Sequence, residues 1–217
     1  MSDALEGQHA RWEDAYLEEP NLFGELSSVA ARSAVELFRA DHARRILDLG
    51  CGHGRDTLFF AQQGFMVYAL DYSKNAMDAL TAEAQHYGLS KSIIPLEHDV
   101  RKRLPLTSES MDGCYSHMLC CMALTMPQLE SLFQEIKRVL KPDRLNIYTV
   151  RRTDDPHYGR GIIRGEDTFE IDEFVVHFFT KEKVQSLARG YRVIKIDSFE
   201  EGELPRKLFL VTLKNGD

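Results

Sequence analysis

The sequence predicts an α/β protein built on a doubly wound parallel sheet. Between residues 44 and 150, short apolar segments typical of buried strands alternate with longer segments that have helical periodicity. A glycine-rich turn, Gly50-Cys-Gly-His-Gly54, joins the first predicted strand to the first helix of this region. Glycines at a strand-to-helix turn let the backbone approach a ligand where a Cβ atom would collide.

The elements of the alternating region follow one another along the chain. We predict strands at about 45–49, 66–70, 92–96, 111–116 and 145–150, and helices at about 55–63, 74–87 and 127–139. Two further helices precede them at about 9–17 and 26–40, with a break at Pro20 and Gly24 and with Val29, Val35, Leu37 and Phe38 as apolar candidates of the second.

The C-terminal part departs from this alternation. Residues 181–188 have a helical pattern, and segments 191–199 and 206–213 read as strands that form an antiparallel hairpin across residues 200–205. Residues 151–180 are too long for an ordinary strand-to-helix connection. We predict that they form a substrate-side wall or lid, with a strand of their own near 174–178.

Composition narrows the classes of function. The 217 residues suffice for one domain, and a formal net charge of −7 argues against general nucleic-acid binding. The four cysteines have no disulfide-framework spacing, which favours a reduced, cytoplasmic setting. The acidic N-terminus predicts no secretory signal, and the apolar runs are too short to predict a membrane span.

Three polar signals lie at the ends of successive predicted strands. The glycines have the spacing G-x-G-x-G, which disfavours a nicotinamide-dependent oxidoreductase. Asp71 ends the second strand, where an acid is placed to accept hydrogen bonds from ribose hydroxyls, although helix capping is the simpler alternative. Asp99 and Val100 follow the third strand and suit the amine and the ring of an adenine. Together these signals predict a crevice for adenosine.

With these residues the chain resembles the class I S-adenosylmethionine-dependent methyltransferases. The segments that carry the resemblance are Ile46-Leu-Asp-Leu-Gly-Cys-Gly-His-Gly54, Asp71-Tyr72, Asp99-Val100, Met111-Asp-Gly-Cys-Tyr-Ser116 and Leu140-Lys-Pro142. Within the class, Gly54-Arg-Asp56 and Trp12-Glu-Asp-Ala-Tyr16 are most similar to the small tellurite-resistance and thiopurine-type enzymes. Asp143 and Arg144 stand where family members usually carry two glycines.

The resemblance implies a Rossmann-like sheet of seven strands in the order 3-2-1-4-5-7-6, with strand 7 antiparallel. It also implies S-adenosylmethionine as methyl donor, S-adenosylhomocysteine as product and a small-molecule acceptor. We expect a monomer or homodimer with no nucleic-acid or membrane partner. We expect a single domain, in which residues 1–43 are a helical cover, 44–150 the cofactor-binding core, 151–180 the insertion and 181–217 the C-terminal helix and hairpin.

The cofactor-binding prediction extends around the glycine turn. Asp48 is expected to organise the turn and the cofactor's ammonium group, or else only to bind backbone amides. Arg55 suits the methionyl carboxylate, or else is a solvated charge. Trp12 and Tyr16 are expected to cover the sulfonium, or else to pack on the sheet. The complete predicted set is Trp12, Tyr16, Asp48, Gly50, Cys51, Gly52, Gly54, Arg55, Asp71, Tyr72, Asp99, Val100, Tyr115 and Ser116.

The acceptor side is predicted from residues near the fourth strand and in the insertion. His117 is the candidate base or substrate contact, with a structural histidine as the alternative. The other candidate contacts are Cys120, His157, Tyr158, Arg160, Arg164 and His177. The adjacent Cys120 and Cys121 raise a thiol or metalloid methyltransferase as an alternative, and a non-catalytic S-adenosylmethionine-binding protein is the alternative of another class. No spacing predicts a metal site.

Overall fold

The structure, a computed structural model, describes residues 2–19, 23–24, 26–202 and 206–216, and side chains from residue 7 onward. Pro20 and part of the predicted 200–205 connection lie outside this range. The helices are α1 Ser2–Glu18, α2 Val29–Ala40, α3 Arg55–Gln62, α4 Lys74–His86, α5 Met126–Val139 and α6 Lys181–Leu187. The strands are β1 Arg45–Leu49, β2 Met66–Asp71, β3 Ile93–Glu97, β4 Met111–Ser116, β5 Leu140–Arg152, β6 Ile162–Gly165, β7 Thr168–Ile171, β8 Phe174–Phe179, β9 Tyr191–Glu201 and β10 Arg206–Asn215.

The main sheet has the predicted order. Strands β3, β2, β1, β4 and β5 pair in parallel in that sequence. β10 pairs antiparallel with β5, placing Phe209 opposite Val150, and β9 pairs antiparallel with β10 at the edge. Counting β9 and β10 as the sixth and seventh strands, the order is 3-2-1-4-5-7-6, so the predicted fold is confirmed.

Helices cover both faces of the sheet, which explains why its central strands are apolar on both sides. One face packs against α2, α3 and α4 through residues such as Phe38, Phe60 and Leu80. The other packs against α5 and α6 through residues such as Phe133 and Leu187. Among the described residues, no helix combines the length and apolar character that a membrane span requires.

Helix α2 begins later than predicted and buries a different face. The Ser28 side chain accepts the Ala31 N–H, so the helix is capped there and starts at residue 29. Of the four apolar candidates, Val35 and Phe38 are buried, whereas Val29 and Leu37 are 41% and 37% exposed. The buried face consists of Ala30, Ala31, Ala34, Val35 and Phe38. Small side chains let the helix approach the sheet closely.

The insertion contains more regular structure than the sequence predicted. β8 pairs in parallel with the end of β5, and β7 and β6 continue antiparallel from it. The β6–β7 hairpin was missed because each strand has only four residues and no clear alternation. A buried ion pair between Arg151 and Asp155, 2.5 Å from Nη2 to Oδ1, anchors the start of the insertion. Asp155 also accepts the Lys207 N–H of β10 at 2.9 Å.

Candidate active site

The glycine turn is tightly constrained in backbone and in space. Gly50 and Gly52 have φ angles of +67° and +53°, in the left-handed region that glycine adopts without strain. A Cβ atom on Gly50 would lie 2.9 Å from the Leu119 side chain, and one on Gly52 would lie 2.8 Å from the Tyr16 hydroxyl. Both positions therefore require glycine, and the turn offers bare backbone to a ligand.

Asp71 connects the second strand to this turn. Its carboxylate accepts the Gly52 N–H at 2.9 Å and the Ser73 N–H at 3.0 Å. Burial raises the pKa of Asp71, and these two backbone hydrogen bonds act in the opposite direction. The cap of α4 is Ser73, which accepts the Ala76 N–H. Asp71 is therefore not the N-cap of α4, as the alternative interpretation required.

A cleft opens at the carboxyl ends of β1, β2 and β3; we call it the cofactor cleft. Its lining is Gln8, His9, Trp12, Gly50, Asp71, Tyr72, His98, Asp99, Val100, Arg101, Leu119, Met122, Ala123 and Leu124. Six of these belong to the predicted set, namely Trp12, Gly50, Asp71, Tyr72, Asp99 and Val100. The three strand-end signals thus meet in one cleft, as expected where parallel strands end side by side.

Helix α1 lies along this cleft and is fixed at two points. Glu13 accepts hydrogen bonds from the Ser73 hydroxyl at 2.8 Å and from the Lys74 N–H at 2.7 Å, at the start of α4. Gln8 bridges to the insertion, donating to the Glu173 carbonyl and accepting the Val175 N–H, each at 2.9 Å. No local sequence pattern predicts Gln8 or His9 as lining residues, because their partners lie far away along the chain.

Aromatic rings close the side of the cleft beneath α1. The Trp12 ring lies 5.4 Å from that of Tyr16 and 4.5 Å from that of Phe174, between centroids. Tyr16 is buried against the glycine turn and does not line the cleft itself. Its carbonyl also pairs with His53 Nε2 at 3.0 Å. In helix α1, Trp12 therefore lines the cofactor cleft, whereas Tyr16 packs against the glycine turn.

The third strand end carries an ion pair. Arg101 donates to both carboxylate oxygens of Asp99, with Nε at 3.0 Å from each and Nη2 at 2.7 Å from Oδ2. Burial raises the pKa of Asp99, but the hydrogen bonds and charge of Arg101 outweigh it and lower the pKa overall. Asp99 is therefore ionised. Beside it, His98 Nε2 is buried without a hydrogen-bond partner among the described residues.

Several residues predicted to bind the cofactor lie close to the glycine turn but do not line the cofactor cleft. Asp48 accepts the Thr57 hydroxyl at 2.6 Å, and burial raises its pKa to about 7. Arg55 donates to the Phe23 carbonyl at 2.7 Å. The side chains of Asp48 and Arg55 do not line the cofactor cleft. Gly54 precedes α3 with a φ of +85°. Burial raises the pKa of the Cys51 thiol, which is therefore protonated.

Tyr115 and Ser116 also point away from the cofactor cleft. The Tyr115 hydroxyl lies 2.9 Å from both Ser28 Oγ and Asp56 Oδ2, within the layer of α2 and α3. The Ser116 hydroxyl lies 3.8 Å from the Cys120 sulfur. The resemblance implies that backbone carbonyls at this strand end hold the methionyl ammonium and that side chains face the methyl group. The Tyr115 and Ser116 side chains do not line the cofactor cleft, and the backbone contacts stay a prediction.

His117 has partners on both ring nitrogens. Nδ1 lies 3.0 Å from the Thr149 hydroxyl, and Nε2 lies 2.9 Å from a carboxylate oxygen of Glu201 in β9. The Thr149 oxygen accepts the Met118 N–H at 2.8 Å. His117 is not among the residues that line the cofactor cleft. Its predicted role as a base stays untested, while its contacts join β4, β5 and β9.

A second cleft adjoins the first; we call it the acceptor cleft. Its lining is Ala123, Leu124, Thr125, Met126, Arg164, Gly165, Glu166, Thr168, Val175, His177 and Lys183. Ala123 and Leu124 line both clefts, so the two cavities meet there. The insertion supplies most of the remaining wall, including two of the predicted acceptor contacts, Arg164 and His177.

The other predicted acceptor contacts lie elsewhere. The Tyr158 hydroxyl donates to Asp167 at 2.6 Å, and Arg160 is exposed. Burial and the charge of Arg151 lower the pKa of His157, which lines neither cleft. Cys120 is buried, and burial raises its thiol pKa to about 12. Within the described ranges, no group of three His, Cys, Asp or Glu side chains is arranged to hold a metal ion.

Comparison with known proteins agrees with this architecture. Residues 46–143 match a family described as a methyltransferase domain. The chain is 27% identical over 197 residues to 24-methylenesterol C-methyltransferase 2 of Oryza sativa subsp. japonica, covering 85% of this chain and 52% of the relative. It spans about half the length, or less, of the curated relatives it matches.

Solved structures of 20% identity or less share the fold. One is the 1,6-didemethyltoxoflavin-N1-methyltransferase of Burkholderia thailandensis with bound S-adenosylhomocysteine, with a TM-score of 0.70, 20% identity, and coverage of 100% of this chain and 87% of that one. Another is the [4+2]-cyclase SpnF, with a TM-score of 0.71, 14% identity, and coverage of 98% and 97%.

The fold is therefore that of the class I methyltransferases. Residues 46–143 are similar to a methyltransferase domain, and the curated relative described above is a methyltransferase. These similarities do not confirm the closer similarity to tellurite-resistance or thiopurine-type enzymes. Because a cyclase shares this fold, the activity has to be argued from the site itself.

Proposed function

We propose that this chain transfers a methyl group from S-adenosylmethionine to a small-molecule acceptor. The observation that carries the proposal is the convergence of Gly50, Asp71 and the Asp99-Val100 pair on one cleft at the carboxyl ends of three parallel strands. Each group suits a different part of the donor: the backbone of the turn, the ribose hydroxyls and the adenine, respectively.

The residues present fit such a donor. The turn cannot hold a side chain at Gly50 or Gly52, and the Asp71 carboxylate is oriented by two backbone N–H groups at the cleft wall. Val100 supplies an apolar surface beside the ionised Asp99. When bound, the donor's sulfonium supplies an activated methyl group with a neutral leaving group.

The chain's own contribution is to align the reactants and exclude water. Helix α1 lies along the cofactor cleft, held by Glu13 and Gln8, and the Trp12 ring forms part of the wall. Alignment and desolvation are the main requirements of an in-line displacement at an activated methyl group. A general base is needed only for an acceptor that arrives protonated.

The acceptor cleft is the proposed site for the second substrate. It meets the cofactor cleft at Ala123 and Leu124, so a molecule held there reaches the donor from the side of the insertion. This arrangement supports the prediction that residues 151–180 form a substrate-side wall.

The cysteine pair does not favour metalloid chemistry. Cys120 and Cys121 are buried, and burial raises their thiol pKa values to about 12 and about 11. A soft metalloid is bound by thiolates, which such pKa values suppress at neutral pH. The cysteine pair therefore gives no support to metalloid binding, and a thiol acceptor remains the alternative that the test below includes.

The test is a panel of acceptors incubated with methyl-labelled S-adenosylmethionine. The panel should include small carboxylic acids, phenols, amines, thiols, halide, arsenite and tellurite. We expect label to transfer to at least one small organic acceptor, with an Asp71→Ala variant as the inactive control. Tight binding of S-adenosylhomocysteine without transfer to any acceptor would instead support the non-catalytic alternative.

A further inference from the structure

The lining of the acceptor cleft contains both apolar side chains and side chains with nitrogen groups. Leu124, Met126 and Val175 supply apolar side chains, while Arg164, His177 and Lys183 supply nitrogen groups. Arg164 and Lys183 are partly buried and His177 is buried, whereas Glu166 is exposed. The less exposed part of the lining therefore carries hydrogen-bond donors, and Glu166 lies towards solvent.

A chain of hydrogen bonds fixes the orientation of the His177 ring. Tyr158 donates to Asp167, which pairs with the Lys183 ammonium at 2.8 Å. Lys183 Nζ lies 3.4 Å from His177 Nε2. Because an ammonium group can only donate, Nε2 accepts, and the proton of the neutral ring is carried on Nδ1.

The His177 ring is neutral near pH 7. Burial, followed by the charge of Lys183, lowers the pKa of His177 to about 4. Its Nδ1 is buried with no hydrogen-bond partner of normal geometry among the described residues, and the Leu124 carbonyl acts on it weakly, in the direction that raises the pKa. A buried N–H donor that lacks a well-formed hydrogen bond favours a ligand oxygen at this point.

Arg164 provides a second donor group beside it. Its Nε donates to Glu170 Oε2 at 2.6 Å, and Nη2 contacts the same oxygen. A guanidinium has five N–H donors in a planar fork that matches a carboxylate. The contacts with Glu170 hold the Arg164 side chain in place across the β6–β7 hairpin, with its charge lining the cleft.

We propose that the acceptor is a small organic acid whose carboxylate binds Arg164 and the Nδ1–H of His177. The apolar body of the acid packs against Met126 and Val175, and its opposite end points to Ala123 and Leu124, where the clefts meet. Lys183 positions the His177 ring. This inference rests on the proposed function, since it assigns the substrate class of the same site.

The test uses three probes of similar shape and different charge. Benzoate, benzamide and benzylamine are titrated calorimetrically into the full chain saturated with S-adenosylhomocysteine. We expect benzoate to bind at least tenfold more tightly than either of the others. Arg164→Gln and His177→Phe should each weaken benzoate binding about tenfold and leave S-adenosylhomocysteine affinity unchanged.

Controls separate these effects from misfolding. Arg189→Gln changes an exposed arginine outside both clefts and should leave benzoate binding unaltered. Arg164→Lys should restore part of the affinity lost in Arg164→Gln, and the melting temperature of each variant verifies its fold. Equal affinity for the three probes, a preference for benzylamine, or benzoate binding unaffected by Arg164→Gln would each overturn the inference. Failure to bind S-adenosylhomocysteine at all would overturn the proposed function with it.

Discussion

The carboxylate of Asp71 accepts the backbone N–H of Gly52 at 2.9 Å, so the end of β2 holds the glycine turn that follows β1. The same residue lines the cofactor cleft. One side chain thus supports the turn and lines the cleft in which we propose that the ribose binds. Replacing it removes both contributions.

Asp71→Ala should weaken S-adenosylhomocysteine binding by more than tenfold. A hydrogen bond to a charged group contributes about 1.5–3 kcal/mol, which corresponds to at least one order of magnitude in the dissociation constant. Calorimetric titration measures the change. Asp78→Ala, at an exposed position of α4 that pairs with Lys74, is the matched control and should bind normally. An unaltered dissociation constant for Asp71→Ala would remove this residue from the site.

Glu13→Ala should release α1 from the start of α4. The carboxylate accepts three hydrogen bonds there, from Ser73, Lys74 and Asn75, and these lower its pKa although burial acts in the opposite direction. We expect about 1–2 kcal/mol less stability in α1, seen as faster hydrogen exchange, and a several-fold loss of S-adenosylhomocysteine affinity. Glu18→Ala, exposed on the same helix, should change neither quantity. Unchanged exchange in α1 would show that Glu13 does not hold it.

Glu201 should make stability depend on pH in the acid range. Burial raises the pKa of Glu201, but the hydrogen bond and charge of His117 lower it overall to about 2, from an ordinary value of 4.5. Since the folded-state pKa is depressed, the stabilisation is complete above pH 4.5 and is lost as the pH falls towards 2. Urea unfolding at pH 6 and pH 3 should show a loss of about 2 kcal/mol from this group. Glu201→Gln should lack that part of the loss; identical pH profiles would contradict the assignment.

His117→Gln distinguishes the predicted base from a structural residue. The contacts of His117 with Thr149 and Glu201 favour the structural role, so we expect a loss of about 1–2 kcal/mol in unfolding free energy and little change in kcat. The measurement pairs urea unfolding with turnover on the acceptor found in the labelled panel. A fall in kcat of roughly 10²-fold at unchanged cofactor affinity would establish the base predicted from the sequence.

Local patterns in the sequence were sufficient to predict the sheet and the strand-end residues. The glycine spacing, Asp71 and Asp99-Val100 are local signals, and the topology brings them together. Arg101 and the Gln8 bridge were missed because their roles depend on side-chain contacts that no periodicity encodes.

Errors at the element level have similar causes. Val29 and Leu37 were among the apolar candidates of α2, but alanines form most of its closely packed face. The hairpin of β6 and β7 has strands too short to show alternation, so the part of the acceptor cleft formed by Gly165, Glu166 and Thr168 was not predicted from the sequence.

The central claim is that the cofactor cleft binds S-adenosylmethionine. Titration of the full chain with S-adenosylmethionine, S-adenosylhomocysteine and NADH tests it most directly. We predict micromolar dissociation constants for the first two ligands, corresponding to about −8 kcal/mol, and no comparable binding of NADH. The claim would be contradicted if neither S-adenosylmethionine nor S-adenosylhomocysteine gave a heat of binding, or if NADH bound tightly.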